Sequence, residues 1–325
     1  MRYRTRVTGL AALSAAWLAG PARAQPAWKP EKPIRLIVPF APGAATDITA
    51  RTISDHLGAF LGQPIVIENQ GAASGIVGTE AGARAPADGY TWTLAHDPPF
   101  TIIPHARKLR YDPLKDFEPV AFIAEIPMVL VVRPTLPVRS VGELLELARA
   151  QPGKITYASS GVGATAHMAA ELFKYETKID ILHVPYKGGA QAVQDLVGGQ
   201  VDMLFISFGP VVQHIRSGRL RALGVSVPRR FASLADVPTI AESGVPGFDF
   251  SVWTGIAVPA GTPAPIRQQI DAAIGYALEK ADVKARFETL GFATGDRAPD
   301  ALRRKIASDY EKWGRVLAAT KIQME

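Results

Sequence analysis

At 325 residues and 47% hydrophobic content, the chain is long enough for two modest domains, each with its own core. The absence of cysteine excludes disulfides, thiolate metal sites and a lipid-modified cysteine anchor. The formal charge of +6 owes much to four arginines near the start (Arg2, Arg4, Arg6 and Arg23); without them 36 basic residues fall to 32 against 30 acidic ones, no basic block is interleaved with aromatics, and a nucleic-acid partner is unsupported.

Residues 1–24 read as a cleaved secretory signal peptide. Arg2, Arg4 and Arg6 form a basic start, residues 7–20 are apolar, and Ala22-Arg23-Ala24 is an A-x-A cleavage pattern. The apolar stretch is shorter than the ~20 residues of a comfortable span. No paired arginine marks the twin-arginine route, which favours unfolded, cofactor-free export. The longest later apolar run, 120–132, is broken by Glu125 and Pro127, so no transmembrane helix is expected. The mature chain is expected to be soluble in the periplasm.

Short apolar runs then alternate with helical patterns. Runs at 34–40, 65–68, 91–95, 129–132, 155–158, 181–184, 201–207 and 220–227 read as strands. Most are continuously apolar, as in parallel strands buried on both faces. Helices are expected at 46–61, ending at Gly62; at Val141–Ala150, with Ser140 as cap and Glu143 in the first turn; and at 191–197, ending at Gly198-Gly199. This is a doubly wound α/β pattern. Two amphipathic helices, 265–279 and 301–319, close the chain with no strand pattern between them.

Two segments share one plan. IRLIVPFAPGAATDITARTI (34–53) and ITYASSGVGATAHMAAELF (155–173) each run from strand through a small-residue turn to a threonine near a helix start, about 120 residues apart. A nucleotide, a nucleophile or a held carboxylate each fits such a turn. Gly161-Val162-Gly163-Ala164-Thr165-Ala166 matches the loose dinucleotide pattern. However, Asp180 precedes the next strand, whereas the ribose acid follows it. A nucleophile at Ser159 or Ser160 would draw on His167 or His96 as base and Asp97 or Asp47 as orienter, yet the G-x-S-x-G elbow is absent. A held carboxylate fits best: unpaired helix N–H groups and the helix dipole favour an anion, and small residues admit it to the backbone. One helix end supplies about 0.3–1 kcal/mol, far short of the roughly 8 kcal/mol of micromolar binding. Two converging turns, a closed cleft and side-chain donors are needed together.

The ordered blocks VPFAPGAATDITAR (38–51), LGQPIVIENQGAASGIVG (61–78), PADGYT (86–91), YDPLKDFEPVA (111–121), ITYASSGVGATAHMAAELF (155–173), HVPYKGGAQAVQDLVGGQVDMLF (183–205), GRLRALGVS (218–226), VPTIAESGVPGF (237–248) and VPAGTP (258–263) resemble the Bug family across essentially the whole mature chain. These are the extracytoplasmic solute receptors of tripartite tricarboxylate transporters. The resemblance implies a type II periplasmic-binding-protein fold, with two doubly wound α/β domains around a cleft: 25–124 plus 251–325 as domain one and 125–250 as domain two. It implies a monomer that binds a small carboxylate (a dicarboxylate, amino acid or aromatic acid) for a two-component integral-membrane permease, with no catalysis, cofactor or metal.

Carried over residue by residue, the ligand-binding set is Phe40, Ala41, Pro42, Gly43, Ala44 and Asp47 in the first loop and Ser159, Ser160, Gly161, Gly163, Thr165 and His167 in the second. Ser74, His96 and Ser207 join it. Ala44 stands where the family usually has a glycine, and AHDPPF (95–100) where it commonly has small cleft-facing residues. Asp47 reads either as a first-turn acid favoured by the helix dipole or as a partner for a ligand ammonium. Trp253 reads as core packing or cleft wall.

Overall fold

Why the chain folds as two similar halves follows from its strand pairings. The structure, a computed structural model, describes residues 28–230, 234–298 and 300–320; the signal peptide expected at residues 1–24 lies outside them. Strands β1 (Ile34–Val38), β2 (Ile65–Asn69) and β3 (Thr91–His96) pair in parallel in the order β2-β1-β3. Helices α1 (Ala45–Leu61) and α2 (Ile76–Ala83) connect them. The 16-residue β4 (Phe117–Val132) and helix α3 (Val141–Ala150) come next. The second half repeats the plan: β5 (Thr156–Ser159), α4 (Thr165–Thr177), β6 (Leu182–Pro185), α5 (Gly189–Val197) and β7 (Met203–Ser207), with β5 parallel to β6 and β7. Then follow α6 (Val212–Arg216), β8 (Arg221–Val225), β9 (Ser251–Pro259), α7 (Ala264–Leu278), α8 (Ala281–Leu290), β10 (Ala293–Thr294) and α9 (Ala301–Thr320).

The element most responsible for the architecture is β4. Its residues 117–127 run antiparallel to β9, and its residues 128–132 run antiparallel to β7 and β8. One strand therefore joins both halves of a sheet ordered β2-β1-β3-β9-β4-β7-β5-β6. The expectation of mostly parallel strands holds for the outer strands of each half and fails at the middle, where β4 and β9 run antiparallel. The middle of β4 is tied to the segments around β8 and the start of β9. Ser251 Oγ donates to Glu125 Oε1 at 2.6 Å, and buried Ser226 accepts from Met128 N–H at 2.9 Å while donating to the Phe250 carbonyl at 2.5 Å.

Helix ends match their chemistry. The α3 start is capped by Ser140, whose Oγ accepts from Glu143 N–H at 3.1 Å, and Glu143 in turn accepts from Arg139 N–H. Gly62 takes the left-handed conformation that ends α1. Between the two closing helices the structure adds α8 and the two-residue strand β10, which sequence patterning does not show.

Three apolar clusters hold the layers. One lies under α1 and α7 (Leu36, Ile53, Ile270, Ile274), and one lies between α3, α4, β5 and β7 (Leu144, Tyr157, Phe173, Phe205). A third, aromatic cluster (Phe100, Phe117, Trp253, with Ile306) sits beneath α9. Helix α9 also sends Trp313 and Leu317 into the second cluster, so it bridges the halves. Trp253 is fully buried, with Nε1 donating to Asp309 at 3.0 Å; it is core. Among the described residues no helix is long and apolar enough to cross a membrane.

Candidate functional site

The site is built from two loops that copy one another. In the first, Gly43 has φ +82°, Ala44 is the extended N-cap of α1 (φ −65°, ψ 158°), and Ala44 N–H returns to the Ala41 carbonyl at 3.2 Å. In the second, Gly163 has φ +76°, Ala164 is the N-cap of α4 (φ −68°, ψ 159°), and Ala164 N–H returns to the Gly161 carbonyl at 3.2 Å. Positive φ at this position suits glycine, since a Cβ strains it. Both caps are alanine and neither helix start has a side-chain cap. The leading N–H groups of α1 and α4 are thus left unspent, and the helix dipole adds a partial positive charge at each.

The residues at the third helical position turn back into their own loops. Asp47 is 2% exposed and accepts from Gly43 N–H (2.9 Å), Arg51 Nε (2.9 Å) and Asn69 Nδ2 (2.9 Å). Burial alone pushes its carboxyl up, but these donors outweigh burial and hold it below the usual carboxylate range. Asn69 also donates to the Phe40 carbonyl at 3.0 Å, which ties the loop to β2. His167, the counterpart in α4, accepts from Gly163 N–H through Nδ1 at 3.0 Å.

Beneath the second loop stands a column of stacked rings. His167 lies 4.2 Å from His183, which lies 4.8 Å from Tyr157. Tyr157 donates to Glu171, which also pairs with Lys174. Burial lowers His167. His183 is held down at about 4, by burial first and then by His167 beside it, against the pull of Glu171. His183 Nε2 lies 2.6 Å from Ser159 Oγ, which also accepts from Gly161 N–H at 3.1 Å. Ser159 is completely buried and serves the loop backbone, so it is not placed to attack a substrate.

Both helix starts open on one cavity of about 480 Å³. Of the residues singled out from sequence, Phe40, Ala44, His96, Ser160, Thr165 and Ser207 line it, joined by Thr46. Ala41, Pro42, Gly43, Asp47, Ser159, Gly161, Gly163 and His167 are absent from its walls; most of them shape the loops from behind. Ser74, at φ +55°, lines a separate hollow of about 240 Å³ against Val162, Gly163 and Ala164. His96 is buried against Phe40 (4.7 Å between rings), and its Nδ1 lies 2.9 Å from Asp97 Oδ1 without an aligned hydrogen bond. Thr46 Oγ1 is likewise buried without a partner.

Sequence reasoning misses the cavity's apolar floor: Ile126 and Met128 of β4, Phe205 and Ile206 of β7, and Val252 of β9. The run 120–132 is visibly apolar, but nothing local marks which of its residues face a cavity and which a core. His183 is missed as well, since its role is to sit under a loop 24 residues earlier.

This geometry can be set beside known proteins. The family model described as the tripartite tricarboxylate transporter family receptor matches residues 49–322. Protein BugT of Bordetella pertussis is 37% identical over 293 residues, 90% of either chain. MatC from Rhodopseudomonas palustris, solved with bound malate, is 34% identical with a TM-score of 0.71, covering 89% of this chain and 99% of its own. Rpa4515 of R. palustris, solved with adipate, is 33% identical with a TM-score of 0.73, covering 90% and 98%. The α/β architecture and these relatives agree: the chain has a type II periplasmic-binding-protein fold and belongs to the Bug-type receptors of tripartite tricarboxylate transporters, a family of solute-binding proteins and not of enzymes.

Proposed function

We propose that this chain is an exported periplasmic receptor that grips a small carboxylate between the starts of α1 and α4 and presents it to a two-component membrane permease. The observation that carries the reading is the pair of matching uncapped helix starts, Ala44-Ala45-Thr46 and Ala164-Thr165-Ala166, with members of both on one cavity wall. Among the described residues no Lys or Arg lines that cavity, so backbone N–H groups and the hydroxyls of Thr46, Ser160 and Thr165 would meet the anion. A neutral site suits a receptor that must release its cargo.

In this reading residues 25–124 with 251–325 form one lobe, residues 125–250 form the other, and the crossings near Glu125 and Ser251 form the hinge. Phe40, Ala44, His96, Ser160, Thr165 and Ser207 face the ligand. Asp47 and His167 hold the loops in register. The malate and adipate bound by the two R. palustris relatives support a carboxylate here. The test is a thermal-shift screen of the mature chain over mono- and dicarboxylates, since a ligand of the folded state raises stability by RT ln(1 + [L]/Kd). A stabilising acid at micromolar concentration is expected; a screen in which neutral amides stabilise as well as acids would defeat the reading.

A further inference from the structure

The cavity walls divide sharply by chemistry, and the division bears on what the carboxylate is attached to. At the helix starts the lining is polar: backbone N–H groups with Thr46, Thr165 and Ser160. Elsewhere it is built from Phe40, Ile126, Met128, Phe205, Ile206 and Val252, with only His96 and Ser207 as further polar side chains. Among the described residues no Asp, Glu, Asn, Gln, Lys or Arg lines the cavity. Building on the carboxylate-receptor reading, we infer that the ligand is a carboxylate with an apolar ring body, an arene or cycloalkane carboxylic acid, in preference to an aliphatic diacid, hydroxylated or not.

Three observations support this. A hydroxyl or second carboxylate laid along the floor would lose its water to Ile126, Met128 and Phe205, which offer it no hydrogen bond. A ring in the same place removes apolar surface from water on both partners. The Phe40 and His96 rings, 4.7 Å apart and tilted by 56°, form an aromatic edge against which a ligand ring can pack offset or edge-on. The volume of about 480 Å³ also falls within the roughly 300–1,000 Å³ of pockets that bury drug-sized ligands. This expectation differs from the malate and adipate of the two ligand-bound relatives.

The experiment is calorimetric titration of the mature chain with benzoate, cyclohexanecarboxylate, benzamide, malate and adipate, with Phe40→Ala alongside. Benzoate or cyclohexanecarboxylate is expected to bind at least tenfold more tightly than malate and adipate. Benzamide, which keeps the ring and loses the charge, is expected to bind at least tenfold more weakly than benzoate. Phe40→Ala is expected to weaken benzoate at least fivefold while the ligand-free variant, though less stable, still melts cooperatively. Malate or adipate binding as tightly as the ring acids would overturn the inference and leave the carboxylate receptor standing. Benzamide matching benzoate would overturn the carboxylate reading itself, and an unaltered benzoate affinity in Phe40→Ala would remove the aromatic edge from the account.

Discussion

Asp47 and His167 hold equivalent places 120 residues apart: each sits in the first turn of its helix and accepts the N–H of the glycine four positions earlier, Gly43 at 2.9 Å and Gly163 at 3.0 Å. Each turns its acceptor toward its own loop and away from the cavity. The glycine N–H is occupied, and the helix start is left without a side-chain cap. The two acceptors differ in charge: Asp47 is an anion neutralised by Arg51, whereas His167 must be neutral at Nδ1 to accept at all.

For Asp47 this predicts a structural role. Asp47→Ala leaves Gly43 N–H and the buried side of Asn69 without their acceptor, which should cost about 2 kcal/mol in urea melts, the scale of hydrogen bonds to a charged group. Affinity for an amino acid and for its deaminated analogue should fall by the same factor in calorimetry. A selective loss for the amino acid would return Asp47 to the role of an ammonium partner.

The histidine column predicts a pH dependence. His183 is held at about 4 in the folded chain, below the ordinary value of 6.5 that it has when unfolded. Between those values the unfolded chain takes up a proton that the folded chain refuses, so stability rises with pH through this window. It is full above about 6.5 and is lost as pH falls toward 4. Because His183 is partly exposed, the effect should be on the order of 1–2 kcal/mol. Around the column Glu171 opposes this and Lys174 adds to it. Burial holds His167 below its ordinary value too, and its protonation would cancel the bond from Gly163, so ligand affinity should weaken once the pH is low enough to charge it. Thermal melts from pH 7.5 to 4.5 check the sign, and His183→Gln should flatten the curve.

Two glycines of the first loop region should respond differently to alanine. A Cβ on Gly71 would stand 2.5 Å from Ala41 N and 2.6 Å from Phe40 C, both backbone, so Gly71→Ala must push the first loop out of place. A loss of about 2–3 kcal/mol and at least tenfold in ligand affinity is expected. A Cβ on Gly43 meets nothing within 4 Å but inherits φ +82°, which should cost about 1–2 kcal/mol. Urea melts and ligand titration of both variants, side by side, test the ordering.

The bridge formed by α9 depends on one buried carboxylate. Asp309 accepts from Trp253 Nε1 at 3.0 Å and pairs with Lys312 at 2.8 Å and Lys305 at 3.4 Å. Asp309→Ala leaves Lys305 and Lys312 short of a counter-charge in a largely buried setting and should cost about 3–5 kcal/mol. Asp309→Asn keeps an acceptor for Trp253 and should cost less. Equal melting temperatures for the two variants would assign the stability to the charge alone.

Much of this was open to a reader of the sequence because it is local. The helix at Val141–Ala150 begins at Ser140 because a hydroxyl there meets an N–H three residues on, and α1 ends at Gly62 because glycine tolerates the left-handed turn. Strand β9 was not legible: its SVWTGIAVP carries a glycine that weakens any strand pattern. The reason for Gly255 is remote, since a Cβ there would meet the Ala121 carbonyl and Leu302 of α9 at 2.6 Å. Ser74 reads like a third loop residue of the site, yet it lines a different hollow.

Residue order by itself determined the two strand–turn–helix units, the threonine near each helix start and their shared plan, because each is written within one continuous segment, 34–53 and 155–173. Tertiary structure alone decided which residues of the two loops line the shared cavity and which stand behind it, that Ile126 and Met128 floor it, and that His183 lies under the second loop. The floor follows from β4 pairing with β9 and β7, partners at least 70 residues away along the chain, and His183 comes under the loop through the parallel β5–β6 pairing that sets it beside Tyr157; no local preference encodes which side of a buried strand will face a cavity.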